Sequence, residues 1–396
     1  MARRVAIPHD KIALRIAGPN NEWRAHRIQR LDIPTTIPNE IIDELGNPQH
    51  AGTVDDIPEV RVTFSAMDVS YSIFAYLTGY TPATFPVAGV DISMCKTVDL
   101  IAEVRSDAAA TVFKSIHVGN AYFESINLSY SVRGNSTEEY TVMATDKRFL
   151  RYTAVVETGA GPTLTTVEDA LLLRNNRYAL GVYVDGIRLA DDEFEEAIVG
   201  GKLVVTPDTA PVTTMLVIYH TLAATPTWAD VSDAGVPPAV KGKYLPVKIG
   251  VENIFRVQSV NIRATFPMTP IDEMGNVKRV GYIKQVPDVT GDISVMDTDM
   301  DLINLLTTGA TGFTTYNDNS IGDFISTLSL EVQICDPAAT GTVLKTVYIP
   351  RMKITSEGTT ANVGDVVTQT FGFRSETAQL VIYSGLKSGS VNELRV

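Results

Sequence analysis

Two pairs of neighbouring carboxylates are the residues whose type and spacing come closest to a reactive site. Asp43 and Glu44 lie in the stretch IIDELGN, and Asp272 and Glu273 lie in PIDEMGN. Paired carboxylates can perform acid–base chemistry, and clustered oxygen ligands can bind Ca²⁺. Neighbouring acids on a polar loop are, however, usually solvated, and neither stretch supplies the further ligands that Ca²⁺ requires. We therefore predict no catalytic or metal-binding role for these pairs.

Other candidates for chemistry are equally isolated. The acidic run DTDMD (297–301) precedes a helical pattern, where the helix dipole already favours acids. The sequence has no P-loop, no Gly-x-Ser-x-Gly motif and no dinucleotide fingerprint. Cys95 and Cys335 form no zinc pattern and are predicted to be small buried apolar side chains. None of the histidines has a metal-ligand spacing; these are His9, His26, His50, His117 and His220. We expect no enzyme activity, no metal and no cofactor.

Composition narrows the class of protein. The chain has 396 residues, a length typical of two or three domains, and 44% of them are hydrophobic, enough for a sizeable core. A formal net charge of −13 argues against a protein that grips nucleic acid, because phosphate binding requires clustered Lys and Arg. With no signal peptide and no run of eighteen apolar residues, we expect synthesis in a reducing cytoplasm and no membrane span.

A stretch of about 120 residues occurs twice in the chain, in the same order and almost without gaps. HRIQRLDI (26–33) aligns with FRVQSVNI (255–262), and the two IDE-[LM]-GN stretches follow at the same offset of 229. Further on, VFKSIHV (112–118) aligns with VLKTVYI (343–349). His26 and His117 face Phe255 and Tyr348 in this alignment, which favours packing over ligation. The period is too long for a solenoid and indicates a duplicated domain.

The repeat divides the chain. We predict a first copy over residues 1–154, an inserted small antiparallel β unit over 155–225, a linker over 226–240 and a second copy over 241–396. GVYVDG and KLVV alternate in polarity beside Asp-Gly and Gly-Gly turn signals, which is typical of β-hairpins. The linker prediction rests on its Pro, Gly, Ser and Asp residues.

Each copy alternates in polarity and contains one helical pattern. EVRVTFSAMDV places Val60, Val62 and Phe64 on one face, as expected of a half-buried strand. MDVSYSIFAYLTG has Asp68 as a candidate N-cap, and MDTDMDLINLLTTG has Asp297 or Asp299. The simplest fold is mainly β: two tandem β-sandwich or barrel domains, each with one flanking helix, plus the inserted unit. Long polar loops interrupt both copies, Thr35 to Pro58 and Ala264 to Pro287, and loops of this length are usually functional or mobile.

The order of strand, IDE-[LM]-GN loop, Pro-Val strand, D…LTG helix and further strands resembles the tail tube proteins of tailed bacteriophages, which are related in fold to type VI secretion tube proteins. The resemblance is best over Arg27 to Gly79 and Arg256 to Gly309. It implies a structural virion protein that assembles in the host cytoplasm into stacked rings around a hollow channel. With two copies per chain, three chains would give a ring of pseudo-sixfold symmetry.

The resemblance also implies partners and sites. The partners would be further copies of the chain, a tape measure protein in the lumen, tail terminator and baseplate proteins, a sheath protein in a contractile tail, and viral double-stranded DNA passing without specific binding. The long loops would contact the adjacent ring through Asp43, Glu44, Gly46, Asn47, Asp272, Glu273, Gly275 and Asn276. Acids facing the lumen would repel DNA; the candidates are Asp68, Asp99, Glu103, Asp292 and Asp297.

Three alternatives remain open at this point. A baseplate hub or distal tail protein would share the tube fold. An adhesin or other binding module would expose a large aromatic patch, whereas the chain has two tryptophans, Trp23 and Trp228. An acidic β-rich hydrolase would need an acid, a base and a nucleophile in one constellation, which the sequence does not display.

Overall fold

The computed structural model describes residues 12–19, 22–43, 50, 52–67, 69–105, 112–211, 213–222, 239–296, 301–308, 328–339, 341–361 and 367–394. The protein is mainly β with two short helices, as the sequence predicted. Neither helix is long and apolar enough to cross a membrane, nor is any other described segment helical over such a length. Asp68 and Asp297, the candidate helix caps, and the 226–238 part of the predicted linker lie outside the described residues.

Strands of the first copy follow one another closely along the chain. They are β1 (Ile12–Ala17), β2 (Glu22–Arg24), β3 (Ile28–Asp32), β4 (Thr35–Thr36), β5 (Asn39–Ile42), β6 (Gly52–Asp55), β7 (Glu59–Ala66), β8 (Val90–Asp91), β9 (Val98–Arg105), β10 (Val112–Ser131) and β11 (Thr137–Arg151). Helix α1 (Ser72–Leu77) and a 3₁₀ turn (Ile92–Met94) lie between β7 and β9.

The inserted unit and the second copy complete the chain. The inserted unit comprises β12 (Ala154–Gly159), β13 (Leu164–Asp169), β14 (Ala179–Val184), β15 (Ile187–Arg188), β16 (Phe194–Val199), β17 (Lys202–Pro207) and β18 (Met215–His220). The second copy comprises β19 (Val247–Ile249), β20 (Glu252–Ile254), β21 (Val257–Thr265), β22 (Met268–Ile271), β23 (Gly281–Lys284), β24 (Asp288–Val295), β25 (Leu328–Cys335), β26 (Val343–Thr360), β27 (Thr368–Ser375) and β28 (Val381–Ser384). Helix α2 (Asp301–Thr308) follows β24, and a 3₁₀ turn (Gly242–Tyr244) precedes β19.

Strand order is the same in the two copies. In the first copy the strands lie in the order β2-β1-β9-β10-β11-β7-β3, and in the second in the order β20-β19-β25-β26-β27-β24-β21. Pairing of β10 with β21 joins both series into one sheet, and β28 adds β8 of the first copy to the edge of β26. Among the described strands the pairings do not return to their starting strand, so the sheet is not a closed barrel.

Residue register also repeats between the copies. Ile28 pairs with Ala66, and Val257 with Val295, so both partners shift by the same offset (257 − 28 and 295 − 66 are both 229). A β-bulge follows each of these pairs, and the residue before each, Arg27 or Arg256, has a positive φ of 53° or 58°. Bulges are features that evolution retains. The sequence repeat is therefore also a repeat of strand pairing and of local backbone irregularity.

The two long segments predicted as loops are instead β-hairpins. We call β5 and β6 the first hairpin, and β22 and β23 the second hairpin. Asn39 pairs with Asp55 in the first, and Met268 pairs with Lys284 in the second, again at an offset of 229 (268 − 39 and 284 − 55). Four-residue strands flanked by Pro, Gly and Asn are too short to reveal alternation, which is why the sequence favoured a loop.

One apolar core runs through both copies. It includes Phe64, Phe123 and Tyr140 of the first copy and Ile262 and Phe371 of the second, all completely buried or nearly so. Helix α1 buries Ile73, Phe74 and Leu77 against this core, as its spacing predicted. The copies thus pack against each other, because one buried cluster contains side chains of both.

Strands of the inserted unit form a small sandwich of their own. A sheet of order β12-β18-β14-β15 packs on a sheet of order β13-β17-β16. Val182 and Val217 from the first sheet and Leu203 and Val205 from the second are completely buried between them. The other face of the first sheet packs on the first copy through Leu180, Leu216 and Ile218.

Candidate functional site

Strands β10 and β21 form the main junction between the two copies. Ser125 to Ser131 pair with Thr265 to Ser259 in antiparallel register. Only the second half of β10 makes this contact, because its first half pairs with β9 along the same edge. Ile126, Leu128 and Ile262 are fully buried at the junction. β10 therefore extends past β9, and the edge that it leaves free pairs with β21 of the second copy.

A buried ion pair accompanies this strand junction. Nζ of Lys345, in β26, contacts Oε1 of Glu138, in β11, and both side chains are completely buried. The Tyr140 hydroxyl donates to Glu138 Oε2 at 2.6 Å, and the Tyr130 hydroxyl donates to Glu138 Oε1 at 3.2 Å. A buried charge is costly unless it is paired and hydrogen-bonded. This pair therefore requires the two copies to be docked as they are here.

The second hairpin packs on the first copy. Arg279 Nη1 lies 3.4 Å from Glu59 Oε1, and Lys278 Nζ lies 2.7 Å from Asp146 Oδ1. The Tyr282 ring meets the Tyr122 ring edge to face, with centroids 5.5 Å apart. Lys284 Nζ donates to the Cys95 carbonyl at 2.6 Å. Ion pairs, a ring contact and a backbone acceptor thus fix this hairpin on its neighbour.

The strand segments equivalent to this junction, in β26 and β3, each have an edge that pairs with no described strand. In the second copy, residues 355–360 of β26 correspond to the junction half of β10, pair only with β27 among the described residues, and are all exposed. In the first copy, β3 corresponds to β21 and pairs only with β7 among the described strands. The molecule therefore has one junction formed internally and the two halves of a second, similar junction left open.

Side chains near the open halves differ in burial or hydrogen bonding from their counterparts at the internal junction. Lys114, the counterpart of buried Lys345, is exposed. Gln369, the counterpart of Glu138, has a buried Oε1 that accepts no hydrogen bond from the described residues. Phe149 is 75% exposed, whereas its counterpart Ile382 is completely buried and pairs with Val90. Lys114 and Phe149 are thus exposed where their counterparts are buried, and Gln369 Oε1 accepts no hydrogen bond from the described residues where its counterpart Glu138 binds Lys345.

The predicted loop residues lie at the hairpin tips. Asp272, Glu273, Gly275 and Asn276 form the exposed turn of the second hairpin, where Gly275 has a φ of +86°. In the first hairpin, exposed Asp43 accepts a hydrogen bond from His50 Nδ1 at 2.6 Å. The other three predicted residues, Glu44, Gly46 and Asn47, lie outside the described residues.

Two of the predicted lumen acids are wrong. Asp99 and Glu103 are completely buried between the first copy and the inserted unit, so neither carboxylate can line a channel. Both lie on the face of strand β9 that points away from the core of the first copy, and the inserted unit covers that face. Asp292 is half-buried on the sheet face away from the core, where it accepts a hydrogen bond from Asn261 at 3.0 Å. The remaining candidates, Asp68 and Asp297, lie outside the described residues.

Asp99 is the centre of a polar network that attaches the inserted unit. Its Oδ1 accepts from the Tyr183 hydroxyl at 2.8 Å and from Arg188 Nε at 3.2 Å, and its Oδ2 lies 2.9 Å from His117 Nε2. Burial alone would raise the pKa of Asp99, but Arg188, His117 and the Asn120 amide together hold it well below its usual range. This carboxylate is therefore ionised and structural.

The other described features that bear on catalysis or metal binding are a cleft and two cysteines. A cleft of about 1000 Å³ between the second hairpin, the inserted unit and the first copy is lined by charges of both signs, including Lys96, Arg148 and Asp191. No group of three His, Cys, Asp or Glu side chains in the described part of the chain is placed to hold a metal ion. Cys95 and Cys335 are buried, as predicted, and burial raises the pKa of the Cys95 thiol to about 12 and that of Cys335 to about 11.

Sequence reasoning missed the residues that join the two copies. Lys345 and Glu138 are 207 positions apart and no local pattern connects them. A signal was nevertheless present: VFKSIHV and VLKTVYI both keep a lysine inside an alternating strand. A charge retained at the same place in two copies predicts a shared contact.

Comparison with known proteins adds nothing to these observations, because no protein-family model matches the chain and no curated protein matches it.

Proposed function

We propose that this protein is the subunit of a hollow bacteriophage tail tube, in which chains join side by side into rings, rings stack, and DNA passes through the channel. The observation that carries the proposal is the pair of open junction halves. One strand junction, β10 with β21, is formed within the chain, and its counterparts in β26 and β3 each have an edge that pairs with no described strand. The order of motifs that resembles tail tube proteins supports the same conclusion.

The chains would join head to tail, because one open half is β26 of the second copy and the other is β3 of the first copy. By the internal offsets, Ser356 of one chain would lie opposite Thr36 of the next, and Thr360 opposite Asp32, as Ser125 lies opposite Thr265 and Ser129 opposite Asn261. Such a contact uses different surfaces on its two partners, and contacts of this type close into rings when the rotation permits. Three chains would supply six equivalent positions around the ring. Joining in this way also removes exposed strand edges, which otherwise promote aggregation.

Stacking of the rings would use the hairpin tips. Met274, at the turn of the second hairpin, is completely exposed, and Val277 beside it is 79% exposed. Exposed apolar side chains next to the acidic pair Asp272 and Glu273 suit a contact with a further chain. The net charge of −13 would limit DNA adhesion in the channel, since like charges repel phosphate within about 8 Å at physiological salt.

Electron microscopy of the purified protein tests this proposal. We expect hollow tubes whose rings contain three chains with pseudo-sixfold symmetry. Six chains per ring would contradict the trimer, and a protein that stays monomeric at all concentrations would contradict assembly altogether. Single rings that never stack would instead favour a baseplate hub or distal tail protein, the alternative that shares the open strand edges.

A further inference from the structure

We infer that the first hairpin of one molecule docks on the second copy of a neighbouring molecule, in the position that the second hairpin holds on the first copy within the chain. The inference rests on the proposed ring, in which the first copy of one chain adjoins the second copy of the next. It adds a second, separate contact surface to the strand junction, and the partner is another copy of this chain.

The first hairpin is as exposed as we expect of a hairpin whose docking surface lies on another molecule. All eight residues of β5 and β6 are exposed, including Ile41 at 52% and Val54 at 54%. In the second hairpin, Gly281 and Tyr282 are buried against the first copy. Thr53 is the counterpart of Tyr282 and Gly52 that of Gly281, at the offset of 229 (282 − 53). Two hairpins of equal register thus differ in whether their partner is present.

The receiving face on the second copy is similarly uncovered. Arg374 is the counterpart of Met143, and Lys353 is the counterpart of Tyr122 (374 − 143 and 353 − 122 are both 231). Met143 is only 8% exposed, whereas the Arg374 side chain is 61% exposed. Tyr122 carries the Tyr282 ring, and Lys353 is exposed to solvent. An open concavity of about 530 Å³ lies on this face, lined by Arg263, Asp288 and Arg374 among others.

Charge complementarity identifies the occupant. Arg263, Thr290, Arg374 and Lys353 lie side by side in one row across β21, β24, β27 and β26. The row has three cations, one of which is already paired, since Arg374 Nε lies 2.7 Å from Asp288 Oδ1. The described acids of the first hairpin are Glu40, Asp43 and Asp55, and its one basic group is His50.

The internal contact has a different distribution of charge. There the hairpin supplies the cations Lys278 and Arg279, and the receiving face supplies the acids Asp146 and Glu59. The face on the second copy keeps an acid at the position of Glu59, namely Asp288 (288 − 59 is 229), but it has the cations Arg374 and Lys353 where the first copy has Met143 and Tyr122. These two added cations favour the acidic first hairpin over the basic second hairpin of another chain.

Chemical cross-linking tests the contact directly. Thr53→Cys with Lys353→Cys places two thiols at positions equivalent to Tyr282 and Tyr122, which touch within the chain. We expect a short bis-maleimide to convert assembled protein into covalent dimers and trimers, with loss of the monomer band. The native Cys95 and Cys335 are buried and should not react. The matched control pairs Thr53→Cys with Arg174→Cys, an exposed position on the inserted unit, and should give no covalent dimer or trimer.

Charge reversal provides the second arm of the test. Lys353→Glu with Arg374→Glu should lower assembly about tenfold or more, and Asp43→Lys with Asp55→Lys in the same chain should restore it. Arg174→Glu should assemble as wild type does. If wild-type protein assembles but the Thr53/Lys353 pair gives no covalent dimer or trimer and the reversal has no effect, the hairpin contact is wrong and the ring stands. If wild-type protein does not assemble, both proposals fail.

Discussion

At the scale of single residues, Lys345 and Glu138 show how the two copies are held in one arrangement. Their charges are completely buried and meet across the junction, where two tyrosine hydroxyls complete the carboxylate's hydrogen bonds. A buried pair of this kind contributes less to net stability than to specificity, since both ions lose their hydration. Its removal from one side only is expensive, because the remaining charge has no counter-ion.

Lys345→Met tests this directly. We expect the free energy of unfolding to fall by about 3–5 kcal/mol, because Glu138 is left buried without its cation. Urea denaturation of unassembled protein measures the change. Lys114→Met is the matched control, since Lys114 occupies the same position in the first copy but is exposed, and it should change stability by less than about 0.5 kcal/mol. Equal effects of the two substitutions would show that the buried pair has no special role.

At the scale of elements, β10 and β26 have the same strand neighbours but different surroundings. Both are long strands, and the first half of each pairs with a strand on both of its edges: β9 and β11 for β10, and β25 and β28 for β26. Both carry a bulge at the same place, between Phe123 and Ser125 in β10 and between Ile354 and Ser356 in β26. The second half of β10 meets β21, whereas that of β26 has one open edge among the described strands. Residues of β26 beyond the bulge are polar, with Glu357 and Thr359 where β10 has Ile126 and Leu128, which suits a strand that remains in water until assembly.

Proline scanning of β26 tests the open edge. Successive residues of an antiparallel strand direct their backbone groups to opposite edges, and proline lacks the N–H donor. Of Gly358→Pro and Thr359→Pro, one should lower the thermal stability of the monomer by weakening the pairing with β27. The other should leave monomer stability nearly unchanged and weaken assembly about tenfold, as expected for one or two lost hydrogen bonds. Assembly at wild-type level in both variants would show that this edge is not used.

At the scale of the whole molecule, stability should depend on pH through a few buried groups. The folded pKa values of Asp99 and Asp146 lie below the ordinary value of 3.8, chiefly because Arg188 and His117 oppose burial at Asp99, and Lys278 and Arg148 do so at Asp146. A lowered carboxyl pKa contributes stability that is present above the unfolded value and lost as pH falls below it. Burial lowers the pKa of His220 below 6.5, so acid also favours the unfolded chain there.

We therefore expect the free energy of unfolding to decrease from about pH 6 and most steeply below about pH 4, by up to about 1.4 kcal/mol per pH unit for each linked proton. Glu22 opposes this trend, because burial raises its folded pKa. Asp99→Asn should flatten the curve below pH 4 while lowering stability at neutral pH, since Arg188 and His117 lose their anion. Urea unfolding as a function of pH measures both effects. An unchanged slope in Asp99→Asn would contradict the assignment of this carboxylate as ionised.

Sequence alone predicted the class of fold and the repeat, and it predicted them from particular strands. Alternation in EVRVTFSA correctly placed Val60, Val62 and Phe64 in the core, because a strand with one solvated face has that period. It could not place Asp99, because alternation shows that a residue lies on the second face of a strand and not whether another sheet covers that face. The hairpins were missed because their four-residue strands are too short to show alternation. The Lys345–Glu138 pair was missed because its two residues are 207 positions apart.

The internal junction has a practical consequence. The pairing of β10 with β21 is, inside each isolated molecule, an instance of the same strand geometry that we propose between molecules, although different side chains surround it. That instance folds without any dependence on protein concentration, so its energetics can be measured in dilute solution, where filaments would otherwise obstruct calorimetry and spectroscopy. The isolated molecule therefore allows the strand pairing of the proposed contact to be measured apart from assembly.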